Sequence, residues 1–272
     1  MYIRFVSWNI HGKNHITPMV EMLQGISGDL VALQEVTVSA YQQLVESKLF
    51  AWSTFSLDLR PPHANEGQGR RLGCALLGRS SFRYKSSFLL EDAPLPERAL
   101  IAEVETLTGP LALCSFHTPP GATWKNKKPE SLVVLAKWLA HQQTMVVVGM
   151  DANAPKSDHP DIEQNKWFWE EEPLMLGARP LHVLRDALRV KLTAQPLEAP
   201  HIMPKSPQGP LAVSYNRGWG KKVFIPCRYD FIYITPDFEV SEVRYLYEEA
   251  IQAGSDHALV VADLNHPHQS GK

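Results

Sequence analysis

Apolar and polar positions alternate over residues 2–8, the period of two that marks a half-buried strand. The alternation stops at Asn9-Ile10-His11-Gly12, a turn rich in polar groups. Residues 18–26 switch to a helical period, and residues 29–33 form an apolar strand ending in Gln34-Glu35. A second helix is predicted over 38–49 and a strand over 51–57. Residues 60–71 contain Pro61, Pro62, Gly67 and Gly69 and read as a loop with a basic end. Successive strands follow over 72–77, 82–89 and 100–105. Gly109-Pro110 marks a hairpin turn, and residues 111–116 form a strand ending at His117. Pro129 opens a helix at its first turn, where a missing N–H costs nothing. Leu132, Leu135, Ala136 and Leu139 give that helix its apolar stripe.

The pattern is most pointed over residues 144–153, Thr-Met-Val-Val-Val-Gly-Met-Asp-Ala-Asn. Its β-branched apolar run reads as a strand buried on both faces. The run breaks at Gly149 and delivers Asp151 and Asn153, two positions apart, which on a strand end point the same way. Catalytic groups need fixed support of this kind; read alone, the stretch is more simply a strand followed by an Asp/Asn turn. The pattern then loosens over 158–210, with helical pieces at 162–171 and 181–188. Strands return over 229–234, where Asp230 is second, and over 240–247. The last strand, 258–264, follows Ser255-Asp256-His257, and a polar tail begins at Asn265. Strands outnumber helices and many neighbours look hairpin-connected, so the expected class is an α/β sandwich with antiparallel or mixed sheets. No linker divides the chain, which is expected to be one domain over 1–272 with 158–222 as an irregular insertion.

Composition narrows the picture modestly. With 272 residues and 44% hydrophobic content the chain can bury a large core. A net charge of −2 gives no global basic field, although a local basic groove remains compatible with it. Cys74, Cys114 and Cys227 form neither a metal pattern nor a disulfide framework, and read as buried thiols in a reducing compartment. No apolar run is long enough to cross a membrane. The N-terminus lacks a signal-peptide layout, so the expectation is a cytoplasmic protein.

The chemistry lies at the strand ends. Asn9, Glu35, His117, Asp151 and Asn153 close strands, Asp256 and His257 precede one, and Asp230 sits inside another. A set of this kind implies one shared site at one edge of the sheets. Carboxylate and amide oxygens suit a hard cation such as Mg²⁺ or Mn²⁺. Histidines beside carboxylates are placed to protonate or hydrogen-bond a phosphoryl oxygen. Asp230 in an apolar strand requires a partner, and His257 is the natural one. His11, His63, His141, His182 and His201 read as structural or exposed, and Asp186 as a structural contact. Trp167-Phe168-Trp169 reads as packing rather than as a base-stacking platform.

The order of motifs resembles that of the endonuclease/exonuclease/phosphatase superfamily over nearly the whole chain. The matching motifs are Trp8-Asn9-Ile10-His11-Gly12, Gln34-Glu35, Ser115-Phe116-His117, Gly149-Met150-Asp151-Ala152-Asn153, Arg228-Tyr229-Asp230-Phe231-Ile232 and Ser255-Asp256-His257. The Gly-Asp-x-Asn motif carries Met150 interposed. The resemblance implies a four-layer α/β/β/α sandwich with two packed mixed sheets. It implies Glu35 as the main metal ligand, with Asn9 and Asp256 near the metal or its waters. Asp151 would orient or deprotonate the attacking water, and Asn153 would help hold it or the phosphate. His257, oriented by Asp230, and His117 would contact the phosphate. Abasic-site endonucleases of the superfamily carry tyrosine where this chain has His117, so its resemblance is to the deoxyribonuclease, sphingomyelinase, deadenylase and inositol-phosphatase branches. The leading expectation is a Mg²⁺-dependent phosphodiesterase acting on nucleic acid or a nucleotide. The alternatives are a phosphatase for a small phosphorylated metabolite or lipid head group, and a scaffold without turnover. The basic clusters Arg70-Arg71, Lys125 with Lys127 and Lys128, and Lys221-Lys222 are candidates for backbone phosphate contacts.

Overall fold

Alternate residues of each strand go to different layers, and this decides the architecture. In the computed structural model, which describes residues 1–195, 208–219 and 223–266, the strands in chain order are β1 (Tyr2–Asn9), β2 (Leu30–Val36), β3 (Trp52–Phe55), β4 (Gly73–Gly78), β5 (Arg83–Leu89), β6 (Ala99–Thr106), β7 (Gly109–His117), β8 (Met145–Asp151), β9 (Arg185–Asp186), β10 (Tyr215–Trp219), β11 (Val223–Cys227), β12 (Asp230–Ile234), β13 (Glu239–Leu246) and β14 (Leu259–Asn265). One six-stranded sheet runs β13-β14-β1-β2-β4-β3 and the other β5-β6-β7-β8-β12-β9; β10 and β11 form a separate antiparallel ribbon. Both large sheets are mixed: β1 and β2 pair parallel, as do β7 and β8.

One set of side chains, including Ile3, Phe5, Leu30, Ala32, Leu113, Val147 and Ile232, packs between the sheets. The opposite set of the first sheet, Val6, Trp8 and Leu33, packs on Met19 and Leu23 of the helix Thr17–Ile26, Leu44 of Val38–Glu46 and Ala250 of Tyr247–Ala253. The opposite set of the second sheet, Phe116, Val148 and Met150, packs on Leu132, Leu135 and Leu139 of the helix Lys127–Ala140. The result is the expected four-layer sandwich. All three cysteines are buried free thiols. Among the described residues no helix is long and apolar enough to cross a membrane.

Several boundaries differ from the sequence expectation, each for a local reason. The expected strand 51–57 ends at Phe55 because Ser56 Oγ accepts the Cys74 N–H at 2.8 Å and the chain turns into the short helix Ser56–Leu59. The expected helix 162–171 is only a 3₁₀ turn, Ile162–Gln164. Further along, the Phe168 N–H bonds the Glu172 carboxylate at 2.9 Å instead of a helical carbonyl. The expected helix 181–188 is irregular up to Leu184 and then a two-residue strand, in which Asp186 pairs with Tyr233 across β9 and β12. A helix begins only at Ala187, with Asp186 Oδ1 capping the Leu188 N–H at 3.0 Å. That carboxylate also holds Arg228 Nη2 at 2.6 Å, the structural contact expected of it. The ribbon β10–β11 and the helix Tyr247–Ala253 were not expected. Residues 221 and 222 lie outside the described residues.

The sheets approach closely at Gly149. A Cβ there would stand 2.7 Å from Ser7 Oγ and 2.8 Å from the Ala32 Cβ, atoms of the opposing sheet. Around it Gln34 Nε2 faces Ser115 Oγ at 3.2 Å and Gly149 O at 3.3 Å. Overpacking a dense core costs about 1–3 kcal/mol. Gly149→Ala is therefore expected to lower the unfolding free energy by about that amount. Gly25→Ala, where nothing lies within 4 Å on a helix, is expected to raise it by about 0.5–1 kcal/mol. Denaturant unfolding of both variants measures this, and equal stability of Gly149→Ala and the parent would disprove the close-approach argument.

Candidate active site

Strand register assembles the site. Parallel pairing of β7 with β8 sets His117 opposite Asp151, and antiparallel pairing of β8 with β12 sets Asp230 opposite the same residue. All three follow the alternation that places Leu113, Val147 and Ile232 between the sheets, so they emerge in the cleft at one end of the sandwich. In the first sheet β1 ends at Asn9, in register with Gln34 of β2. The two sheets join there, because Asn9 Nδ2 donates to Asp151 Oδ2 at 2.9 Å.

Asp151 is almost fully buried. Its Oδ1 accepts the Asn153 N–H at 2.9 Å, and its Oδ2 faces Asn153 Nδ2 at 3.3 Å, His117 Nε2 at 3.5 Å and His257 Nε2 at 3.8 Å. Burial raises its carboxyl pKa to about 7, with the charge on His257 acting against the rise. Asn153 does not extend the strand: its φ is 48°, in the left-handed region. The pair meets through a turn rather than through strand alternation, and Asn153 Nδ2 also donates to Thr118 O at 3.0 Å.

Glu35 reaches the same cleft through an irregularity of β2. The register with β4 shifts between Leu33 and Val36, and Glu35 takes a φ of 53°. A non-glycine residue held so costs of the order of 1–3 kcal/mol and persists where surrounding structure imposes it. Glu35 Oε1 lies 3.4 Å from His117 Nε2, and among the described residues no lysine or arginine comes within ion-pair distance of it. Asp256, part-exposed, is 2.8 Å from His11 Nδ1. Burial opposes its charge, but His11 and then His257 hold its carboxyl below the usual range.

The two site histidines are set to different charge states, His117 neutral and His257 cationic. Arg98, buried on the turn Pro96–Arg98, places Nη1 3.0 Å from His117 Nδ1. A guanidinium only donates, so Nδ1 accepts and the ring proton sits on Nε2, facing Glu35 and Asp151. Burial first, then the charges of Arg98 and His257, hold the His117 pKa well below its ordinary value. His257 is the reverse case. Its Nδ1 lies 2.8 Å from Asp230 Oδ2, and Tyr215 stacks on its ring at 4.7 Å. Burial alone would lower its pKa, but Asp230 and then Asp151 overcome this and hold it at about 10. Ser255 anchors the turn before β14: its Oγ donates to Asn9 O at 2.6 Å and accepts the His257 N–H at 3.0 Å.

Thus Asn9, Glu35, His117, Asp151, Asn153, Asp230 and His257 gather in one cleft, and Asp256 adjoins it beside His257. The basic candidates are more scattered. Arg70 is held by Glu97 at 2.8 Å and Glu66 at 3.5 Å, which satisfies its charge internally. Arg71 is exposed. The three lysines are not one loop cluster. Lys125 and Lys127 are exposed, Lys127 lying 5.1 Å over Trp124. Lys128 is buried on the first turn of its helix and paired with Glu172 at 2.6 Å and Asn153 O at 2.7 Å. Lys221 and Lys222 lie outside the described residues. Sequence reasoning missed Arg98 and Tyr215 and left His11 as structural or exposed. Arg98 sits in a Pro-led turn without periodicity, and Tyr215 lies on a strand interrupted by Gly218.

No curated protein sequence matches the chain. Among solved structures, D. rerio TDP2 complexed with single strand DNA product superposes with a TM-score of 0.68 at 16% identity, covering 97% of this chain and 99% of that one. The human nocturnin catalytic domain with bound sulfate anion gives 0.65 at 19% identity, covering 98% and 95%. An endonuclease/exonuclease/phosphatase from Bacteroides vulgatus gives 0.62 at 16% identity, covering 98% and 100%. Identities this low establish a shared fold. The family itself is established by its sequence model, which matches residues 6–257 and so spans every motif gathered in the cleft: the chain belongs to the Endonuclease/Exonuclease/phosphatase family.

Proposed function

We propose that this chain is a phosphodiesterase that hydrolyses nucleic acid with the help of Mg²⁺ or Mn²⁺. The observation that carries the reading is the Asp151 carboxylate, buried between one neutral and one charged histidine and fixed by Asn9 and Asn153. The family's enzymes are phosphoric ester hydrolases that use divalent metals, which supports the same reading.

The donor set fits a hard cation. Among the described residues Glu35 offers a carboxylate with no lysine or arginine partner, Asp256 a second carboxylate, and Asn9 an amide oxygen that accepts the His11 N–H at 2.8 Å. A second grouping, Asp151 with Asp230 and His257, also brings its polar atoms within 4.8 Å. It suits a cation poorly, since a protonated imidazole has no free lone pair. Glu35, Asn9 and Asp256 are therefore the proposed ligands. Bound there, the cation would supply Lewis-acid stabilisation of charge developing on the phosphoryl group.

The chain's own groups divide the remaining work. Asp151, raised toward neutrality, takes the proton from the attacking water while Asn153 keeps its carboxylate oriented. His257 presents a charged N–H to a phosphoryl oxygen, and Asp230 holds that ring charged and aligned. His117, neutral with its proton on Nε2, adds a second N–H. Water adds to phosphorus as the bond to the leaving oxygen breaks, and the leaving oxygen takes up a proton.

Activity on single-stranded DNA, plasmid and RNA is expected with Mg²⁺ and is expected to vanish in excess chelator. Asp151→Asn and His257→Ala should each lose about a hundredfold to ten-thousandfold in kcat with unchanged far-UV dichroism. Undiminished turnover in chelator, or a clear preference for phosphomonoesters, would overturn the proposal.

Replacing Asp230 by Asn removes the nearest negative charge from His257, so the imidazole pKa must fall. Imidazole ¹⁵N NMR of metal-free protein should show His257 titrating well below about 10 in Asp230→Asn. An unshifted titration would remove the positioning role given to Asp230.

Lys125 and Lys127 are exposed cations close in sequence to Lys128, which bonds Asn153 O at 2.7 Å. If they contact backbone phosphates, changing both to alanine should weaken polynucleotide binding and flatten its salt dependence by about 0.7–0.9 in log–log slope for each lost contact. Binding measured across a salt series decides this, and an unchanged slope would place polynucleotide backbone elsewhere.

A further inference from the structure

We propose that the cavity beside Asn153 is a subsite for the nucleobase adjoining the scissile phosphate. The proposal rests on the phosphodiesterase reading above and adds what the enzyme recognises beyond the phosphate.

The cavity has a volume of about 550 Å³ and is bordered by Asn153, Phe168, Trp169, Tyr215, Arg217 and Tyr229. A size of roughly 300–1,000 Å³ is usual for small-molecule sites. Aromatic rings lead into it from the reacting centre: Tyr215 stacks on His257 at 4.7 Å and on Tyr229 at 5.6 Å with an interplanar angle of 23°. Asn153 borders the cavity while its own side chain bonds Asp151. An occupant of the cavity is thus one residue away from the proposed proton acceptor.

The polar groups narrow the class of occupant. Lys128 is neutralised by Glu172. Arg217 is not: among the described residues it has no carboxylate partner, its guanidinium approaches the Tyr229 hydroxyl only at 3.5 Å, and its Nε is buried with no hydrogen-bond partner. A buried donor left unsatisfied costs free energy that a ligand acceptor would recover. Two protein cations already lie over Phe168, Lys128 at 4.7 Å and Arg217 at 5.4 Å. The uncompensated Arg217 charge repels a cationic head group. The arrangement suits a flat ring with acceptor atoms on its edge, which is what a nucleobase offers. The sequence reading of residues 167–169 as packing therefore divides. Trp167 packs on the second sheet's outer core, whereas Phe168 is 41% exposed at the cavity.

The test is binding of thymidine 5′-monophosphate against 2-deoxyribose 5-phosphate to the full chain in chelator, followed by calorimetry. The base should tighten binding roughly 5- to 100-fold, the range that base–aromatic stacking gives. Phe168→Leu and Arg217→Gln, both on part-exposed side chains, should shrink that ratio toward one and leave the base-free ligand unaffected. Equal affinity of the two ligands for the parent protein, or a ratio untouched by both substitutions, overturns the subsite. The parallel cleavage assay separates the two ideas. Base-dependent binding without phosphodiester cleavage would sink the enzyme reading and keep the subsite. Cleavage without base dependence would do the reverse.

Discussion

The close approach of the two sheets at Gly149 is the constraint on which the cleft depends. Two parallel strand pairs, β1 with β2 and β7 with β8, end at the same edge of the sandwich. They face one another across a layer that is apolar except near this edge, where Ser7, Gln34 and Ser115 replace hydrophobic side chains. Small and polar residues let the backbones come near enough for Asn9 to reach Asp151 directly. Sheets packed face to face ordinarily stand about 10 Å apart, a gap that apolar side chains fill. A larger residue at 149 would push apart the very strands whose ends carry the chemistry. The same contact that limits the core therefore sets the geometry of the cleft.

Within the cleft, one chemical contrast does most to define what can happen. Two histidines flank one carboxylate, and their partners differ in sign. Burial, reinforced by a buried guanidinium that also fixes the tautomer, keeps His117 neutral; a buried carboxylate holds His257 charged. Burial alone would neutralise both, so the charge on His257 is the work of Asp230 and then Asp151. The site thus holds a positive donor and a neutral donor at fixed positions, without either exchanging roles near neutral pH. Charge of this kind, set in advance by the fold, needs no reorganisation when charge develops on a substrate.

Much of this was legible in the sequence, because strand ends are written as a change from apolar alternation to a polar pair. Asn9, His117, Asp151 and Asp230 could be placed from that signal, and ordered motifs joined them. The sequence did not reveal how Glu35 and Asn153 turn inward, since both rely on left-handed backbone that their residue types do not demand. Nor did it separate Lys128 from its neighbours; only the buried Glu172, far along the chain, takes that ammonium out of solvent. Arg98 was illegible for a related reason. Its role comes from a contact across a turn, and no periodic pattern marks it. The segment 158–222 was read worst, since its helices and strands are fixed by long-range ion pairs rather than by local preference.

Those ion pairs explain why so irregular a segment can still border a precise site. Arg228, two residues before Asp230, is buried against Asp186 at 2.6 Å and Asp158 at 3.5 Å, and it donates to the Tyr245 hydroxyl at 2.8 Å. Tyr245 in turn donates to the Asp230 carbonyl at 2.8 Å. Removing one partner of a buried pair typically costs about 3–5 kcal/mol, because the other charge is stranded. The pairs therefore act as a rigid tie between the segment and β12. Ser214 adds a second tie, accepting the Tyr229 and Asp230 N–H groups at 2.8 and 3.1 Å, one residue ahead of Tyr215. The ring over His257 and the carboxylate behind it are thus held through the same short stretch of β12. Substitutions in this segment can change what the cavity accepts, while these ties keep the histidine it overlooks in place.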